Sequence, residues 1–96
     1  MKYFHRTSLS SERVLDAARA FFGGRLTPAE ETARRRAYSG AIGKVTIGVR
    51  AEGGHYTLVE LHTDQVGESE LDRLAKRFLA ELHRMAEPDH QVRGAY

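Results

Sequence analysis

Cysteine and tryptophan are both missing from this chain of 96 residues, and proline and methionine occur only twice each. Without cysteine there is no disulfide framework and no thiolate metal site. Long apolar runs are missing too. Nothing approaches the roughly 20 apolar residues that a bilayer-crossing helix needs, and no signal-peptide pattern follows "MKYFHRTSL". The expected compartment is therefore the cytoplasm, with no membrane as partner. A large charge of one sign is also lacking. The 15 basic and 13 acidic residues leave a net +2. The pI near 9.2 rests on that small excess, which makes no nucleic-acid footprint by itself. No internal repeat and no low-complexity segment stands out.

What is present fits one globular unit. Hydrophobic residues make up 41% and charged residues 29% of the chain, an ordinary balance. A chain of this length buries roughly 60–65% of its unfolded surface, enough for one modest core and too little for a deep cleft between lobes. The domain is expected to span residues 1–88. Residues 89–96, inside "PDHQVRGAY", are expected to form a flexible tail.

"KYFHRT", residues 2–7, suits an edge strand through Tyr3, Phe4 and Thr7. "SSERVLDAARAFFGG", residues 10–24, reads as a helix capped by Ser10 or Ser11, with Glu12 in its first turn. Val14, Leu15, Ala18, Phe21 and Phe22 recur at helical spacing, and Gly23 is expected to end the helix in a left-handed conformation. "TPAEETARRRAYSG", residues 27–40, is ambiguous. Thr27-Pro28-Ala29-Glu30 has the form of a capping box, yet only alanines are apolar through Arg36. A short turn of helix or a loop is expected, extending into a strand from about Arg34.

"KVTIGVRA" and "HYTLVELHT", residues 44–51 and 55–63, form a hairpin around Gly53-Gly54. A loop Glu52-Gly53-Gly54, pairing Ala51 with His55, sets Ile47 against Val59 and Val45 against Leu61. The core face is then Val45, Ile47, Val49, Val59 and Leu61. The other face carries Lys44, Thr46, Arg50, Tyr56, Leu58, Glu60 and His62. "GESELDRLAKRFLAELHRMAEP", residues 67–88, is the strongest helix. Leu71, Leu74, Ala75, Phe78, Leu79, Leu82, Met85 and Ala86 form an apolar stripe. Ser69 and Asp72 have capping-box spacing, Asp72 falls on the polar flank, and Pro88 marks the stop. The expected fold is α+β, a small antiparallel sheet packed against a long C-terminal helix, in the order β-α-β-β-α.

Three stretches give this layout a likeness: "YFHRTSLSSERVLDAARAFF", "KVTIGVRAEGGHYTLVELHTD" and "SELDRLAKRFLAEL" introduced by "QVGE". In order and texture they resemble part of the helix-grip fold of START-related lipid-binding and polyketide-cyclase-like proteins. The resemblance implies a sheet wrapped around the last helix and an apolar cavity. This chain has room for about half of the family's strands, so the cavity would be missing or completed by a second copy. No family motif is matched at residue level, and no catalytic residue carries over.

Glu60 and His62, two apart on one strand, point the same way beside Tyr56, Lys44 and Arg50. They suggest an enzyme site or two legs of a metal site. A metal needs a third ligand, and no spacing supplies one, so neither metal nor cofactor is expected. The plainer reading is the solvated face of a half-buried sheet. Arg34, Arg35 and Arg36, with Lys44, could bind phosphates, although Glu30 and Glu31 sit immediately upstream and nucleic acid is a disfavoured partner. Phe21, Phe78, Leu82 and Met85 could line a cavity for a small apolar ligand; as core residues they are ordinary. "GAIGK" lacks the spacing of a phosphate loop. The expectation is a non-catalytic homodimer holding an apolar ligand or partner segment between sheet and last helix. The alternatives are an anionic-partner binder through Arg34–Arg36 and an enzyme near Glu60 and His62.

Overall fold

Two helices lie on one face of a five-stranded antiparallel sheet, in a computed structural model that describes residues 1–86. The elements run β1 (Lys2–Thr7), α1 (Ser11–Phe22), β2 (Thr27–Glu31), β3 (Arg35–Gly40), β4 (Gly43–Glu52), β5 (Tyr56–Thr63) and α2 (Glu70–Ala86). The strand order is β1-β5-β4-β3-β2. The fold is α+β, and its sheet is wider than the two or three strands expected. The expected tail, residues 89–96, and the stop at Pro88 lie outside the described residues.

The extra width comes from the ambiguous stretch, where β2 and β3 replace the expected turn of helix or loop. All five residues of β2 are exposed, so a helix there would have had no apolar face to bury. As an edge strand the segment needs none, and Pro28 can spare its missing N–H. β3 contributes Tyr38 to the core and joins β4 through a tight connection in which Gly40 pairs with Gly43. Gly43 has φ 127°, which a side chain would resist.

The β4–β5 hairpin buries the expected face in a different register. Glu52 pairs with Tyr56, and the loop is Gly53-Gly54-His55, with both glycines at positive φ. Val49 meets Val59, Ile47 meets Leu61 and Val45 meets Thr63. The register differs by two from the one expected, and a shift of two leaves every side chain on its original face. Val45, Ile47, Val59 and Leu61 have no exposed surface, and Val49 has little.

Helix ends follow local chemistry. The Ser10 hydroxyl accepts the Arg13 N–H at 3.2 Å and so caps α1. Gly23 does not take the expected left-handed conformation; its φ is −63°. A Cβ there would fall 2.4 Å from the Arg19 carbonyl oxygen, so close approach explains the glycine. At α2 the Ser69 hydroxyl accepts the Asp72 N–H at 3.1 Å. The Asp72 carboxylate does not lie on a polar flank. It is wholly buried, accepting the Tyr3 hydroxyl and the Glu68 N–H with Lys76 3.2 Å away.

One core joins both helices to the inner sheet face. Phe22 lies 5.2 Å from Phe78 and 5.9 Å from Tyr38, centroid to centroid. Leu71, Phe78 and Leu82 of α2 are buried with them. Each such side chain stabilises the fold by roughly 1.5–3 kcal/mol through removal from water.

Candidate functional site

With both helices on the inner face, no described element covers the outer face of the sheet. Strand alternation decides what it carries. β1 shows Lys2, Phe4 and Arg6 there, and β4 shows Lys44, Thr46, Gly48 and Arg50. β5 shows Tyr56, Leu58, Glu60 and His62, and β3 contributes Arg35. The pairing Arg35–Gly48–Glu60–Phe4 runs straight across four strands. In the middle of that row Gly48 has no side chain, so the surface dips.

Two adjoining depressions meet at the dip. One, of about 260 Å³, is lined by Lys2, Arg35, Thr46, Gly48, Glu60 and His62. The other, of about 290 Å³, has Arg34, Arg35 and Arg50 around a floor that includes Gly48, Val49 and Leu58. The β2–β3 turn is tied to this floor, because the Val49 N–H donates to the Arg34 carbonyl at 3.0 Å.

Charge on the face is unevenly satisfied. Lys2 pairs with Glu60 at 3.2 Å, Arg35 with Glu30 at 3.4 Å, and Arg6 with Glu52. These pairs are well exposed and contribute less than about 1 kcal/mol each. Their effect is to neutralise the acids of the face. Arg34, Arg50 and Lys44 have no ion-pair partner among the described residues. What remains uncompensated is positive.

The sequence-derived candidates separate on this framework. Glu60 and His62 do share a face and line one depression. Among the described residues no group of three His, Asp or Glu side chains is placed to hold a metal. Arg34, Arg35 and Arg36 do not act as one basic segment. Arg34 and Arg35 border the outer depression, whereas Arg36 turns to the inner side, 3.8 Å from Glu31, and donates to the carbonyls of Thr32 and Arg35. Lys44 stands at the far end of β4, where its backbone N–H holds Asp64 at 2.9 Å. That bond is the leading reason the Asp64 carboxyl sits below its usual pKa. Tyr56 is exposed beside the hairpin loop, opposite Glu52, away from both depressions.

The apolar candidates separate as well. Phe78 and Leu82 have no accessible surface. Both belong to the core cluster shared by the helices and the sheet. Phe21 and Met85 border a surface hollow with Ala17, Ala20, Arg25 and Glu81, and the Arg25 guanidinium lies 4.5 Å from the Phe21 ring centroid. The structure thus sets two of the four in the core and two at its edge.

Lys2 and Gly48 are among the site residues that the sequence did not single out. Gly48 had a signal, since a glycine inside an alternating strand marks a bulge or a close approach. Lys2 had none, because its place beside Glu60 depends on β1 pairing with β5. No described helix is long and apolar enough to cross a membrane. The sequence matches no protein-family model and no curated protein.

Proposed function

We propose that this protein is a non-catalytic binding module whose outer sheet face takes a phosphate or carboxylate group carried on a partly apolar ligand. One observation carries the reading. Arg34 and Arg50, both without an ion-pair partner among the described residues, and Arg35, paired with Glu30, border a depression that includes Gly48 and Leu58, and Glu60, which lines it too, is already paired with Lys2. Guanidinium groups suit planar, bidentate recognition of such anions, and Leu58 offers an apolar seat beside them. The alternative of an apolar ligand between sheet and α2 would need Phe78 and Leu82, both sealed, to part.

We propose in addition that the layout is of the helix-grip type. In its favour are the N-terminal strand leading through a serine-rich turn into α1, and a C-terminal helix lying against the sheet. On this reading the module is a reduced form, with its interior filled and its ligand site moved to the outer face.

Isothermal titration with inorganic pyrophosphate and with octanoate tests the proposal. Binding of at least one probe at low salt is expected, weakening as salt rises and lost in Arg50→Glu. An absence of heat with both probes at millimolar concentration, or binding indifferent to Arg50→Glu, contradicts it.

A further inference from the structure

We infer that the edge of β1, unpaired among the described residues, pairs antiparallel with β1 of a second copy, about a two-fold axis at His5, joining two sheets into one continuous sheet. The inference rests on the sheet edges and stands apart from the anion reading.

The two edges of the sheet are built differently. β2 carries Pro28, a bulge between Pro28 and Glu30, and the acidic pair Glu30 and Glu31. All three are devices that keep an edge from recruiting another strand. β1 has neither the proline nor the bulge, and its charged residues, Lys2 and Arg6, are each held by an acid of the same sheet, Glu60 and Glu52. Its register with β5 is unbroken from Lys2 to Thr7, and it exposes Phe4 to 60%.

Backbone geometry fixes which groups the edge offers. The Thr63 N–H donates to the Met1 carbonyl at 2.8 Å, so Met1 faces β5. By alternation Tyr3, His5 and Thr7 face β5 too, while the N–H and C=O groups of Lys2, Phe4 and Arg6 point to the open side. A second β1 can satisfy them only in registers that set even-numbered residues opposite each other.

Two such registers centre on the strand. Centring on Phe4 sets Lys2 opposite the partner's Arg6 twice, which opposes like charges. Centring on His5 sets Phe4 opposite the partner's Arg6 twice, and Tyr3 opposite the partner's Thr7. Cation on aromatic replaces cation on cation. The two His5 residues then meet at the axis as a non-hydrogen-bonded pair. The occupant that fits this edge is therefore a second copy of the chain, and self-complementarity is what a two-fold interface requires.

The absence of cysteine makes the register directly testable. Sedimentation equilibrium of the full chain is expected to report twice the chain mass. Phe4→Pro removes an N–H that points only to the open edge, so the single-chain mass is expected with the circular dichroism spectrum unchanged. His5→Cys is expected to form an intermolecular disulfide on mild oxidation, because a non-hydrogen-bonded antiparallel pair brings the two side chains close enough. Phe4→Cys is expected to cross-link far more slowly. A single-chain mass for the unmodified protein at every concentration overturns the inference. So does a folded Phe4→Pro variant that stays dimeric, or cross-linking that favours Phe4→Cys. Should Phe4→Pro fail to fold, the ratio of the two cross-linking rates decides alone.

Discussion

Asp72 takes the Tyr3 hydroxyl and the Glu68 N–H while Lys76 approaches from the next turn of α2. The Tyr3 bond is the largest reason its pKa lies below the ordinary 3.8, with the Glu68 N–H and Lys76 acting in the same direction against the cost of burial. A folded pKa below the unfolded one stabilises at pH above the unfolded value, and that part is lost as pH falls through the folded one. Tyr3→Phe removes the leading cause. The Asp72 pKa, followed by NMR, is expected to rise, and acid unfolding to begin at higher pH. His5 is shifted the same way by burial and by the charge of His83, to below 6.5. Its share of stability is complete above that value and declines as pH drops towards the lowered one. At Gly48 the proposed binding and stability pull in opposite directions. A Cβ there would meet only the backbone oxygens of Arg34 and Glu60, at an ordinary 4.0 Å. Gly48→Ala should therefore stabilise the fold by roughly 0.5–1 kcal/mol in urea titrations, and larger Gly48→Leu should fill the dip and weaken anion binding.

At the level of elements, β3 offers the sharpest stability test. Tyr38 packs on Phe22 with its hydroxyl buried and lacking any hydrogen-bond partner among the described residues. Burial is also the first cause of its raised pKa. Removing an unsatisfied buried hydroxyl relieves its desolvation cost, so Tyr38→Phe is expected to raise stability by up to about 1 kcal/mol. A clear loss in urea unfolding would mean that the hydroxyl is bonded. The elements also show what the sequence could disclose. In β4 and β5 the period-two pattern named the buried face, because apolar side chains must alternate to share one core. It could not choose between registers two apart, which bury the same residues. β2 left no trace, since an edge strand with every residue exposed has no hydrophobic signature. Asp72 misled for a related reason. Helical spacing set it on the polar flank, and only the arrival of Tyr3 from the far end of the chain closes over it.

On the scale of the whole molecule, the interior is filled and no described element covers the outer sheet face. α1, α2 and the inner sheet face share a single cluster, so a cut anywhere in it should be felt globally. Phe78→Ala is expected to cost about 3–5 kcal/mol, a large part of the stability of a domain this small. Thermal unfolding followed by calorimetry would show this as a much lower midpoint in a single transition. The outer face tolerates change by contrast: Arg50→Ala should alter stability by less than about 0.5 kcal/mol while reducing anion affinity. The candidate site was only half legible in the sequence. Glu60, His62 and Arg50 were seen to share a face, but Arg34 and Arg35 reach it through β3, which lay inside the ambiguous stretch, and Lys2 only through the long-range pairing of β1 with β5. The most direct measurement is an amide chemical-shift map recorded while pyrophosphate or octanoate is added. Shifts confined to Arg34, Arg35, Gly48, Arg50 and Leu58 are predicted. Shifts centred on Phe78, Leu82 and Met85 would place the ligand between sheet and α2 and contradict the account.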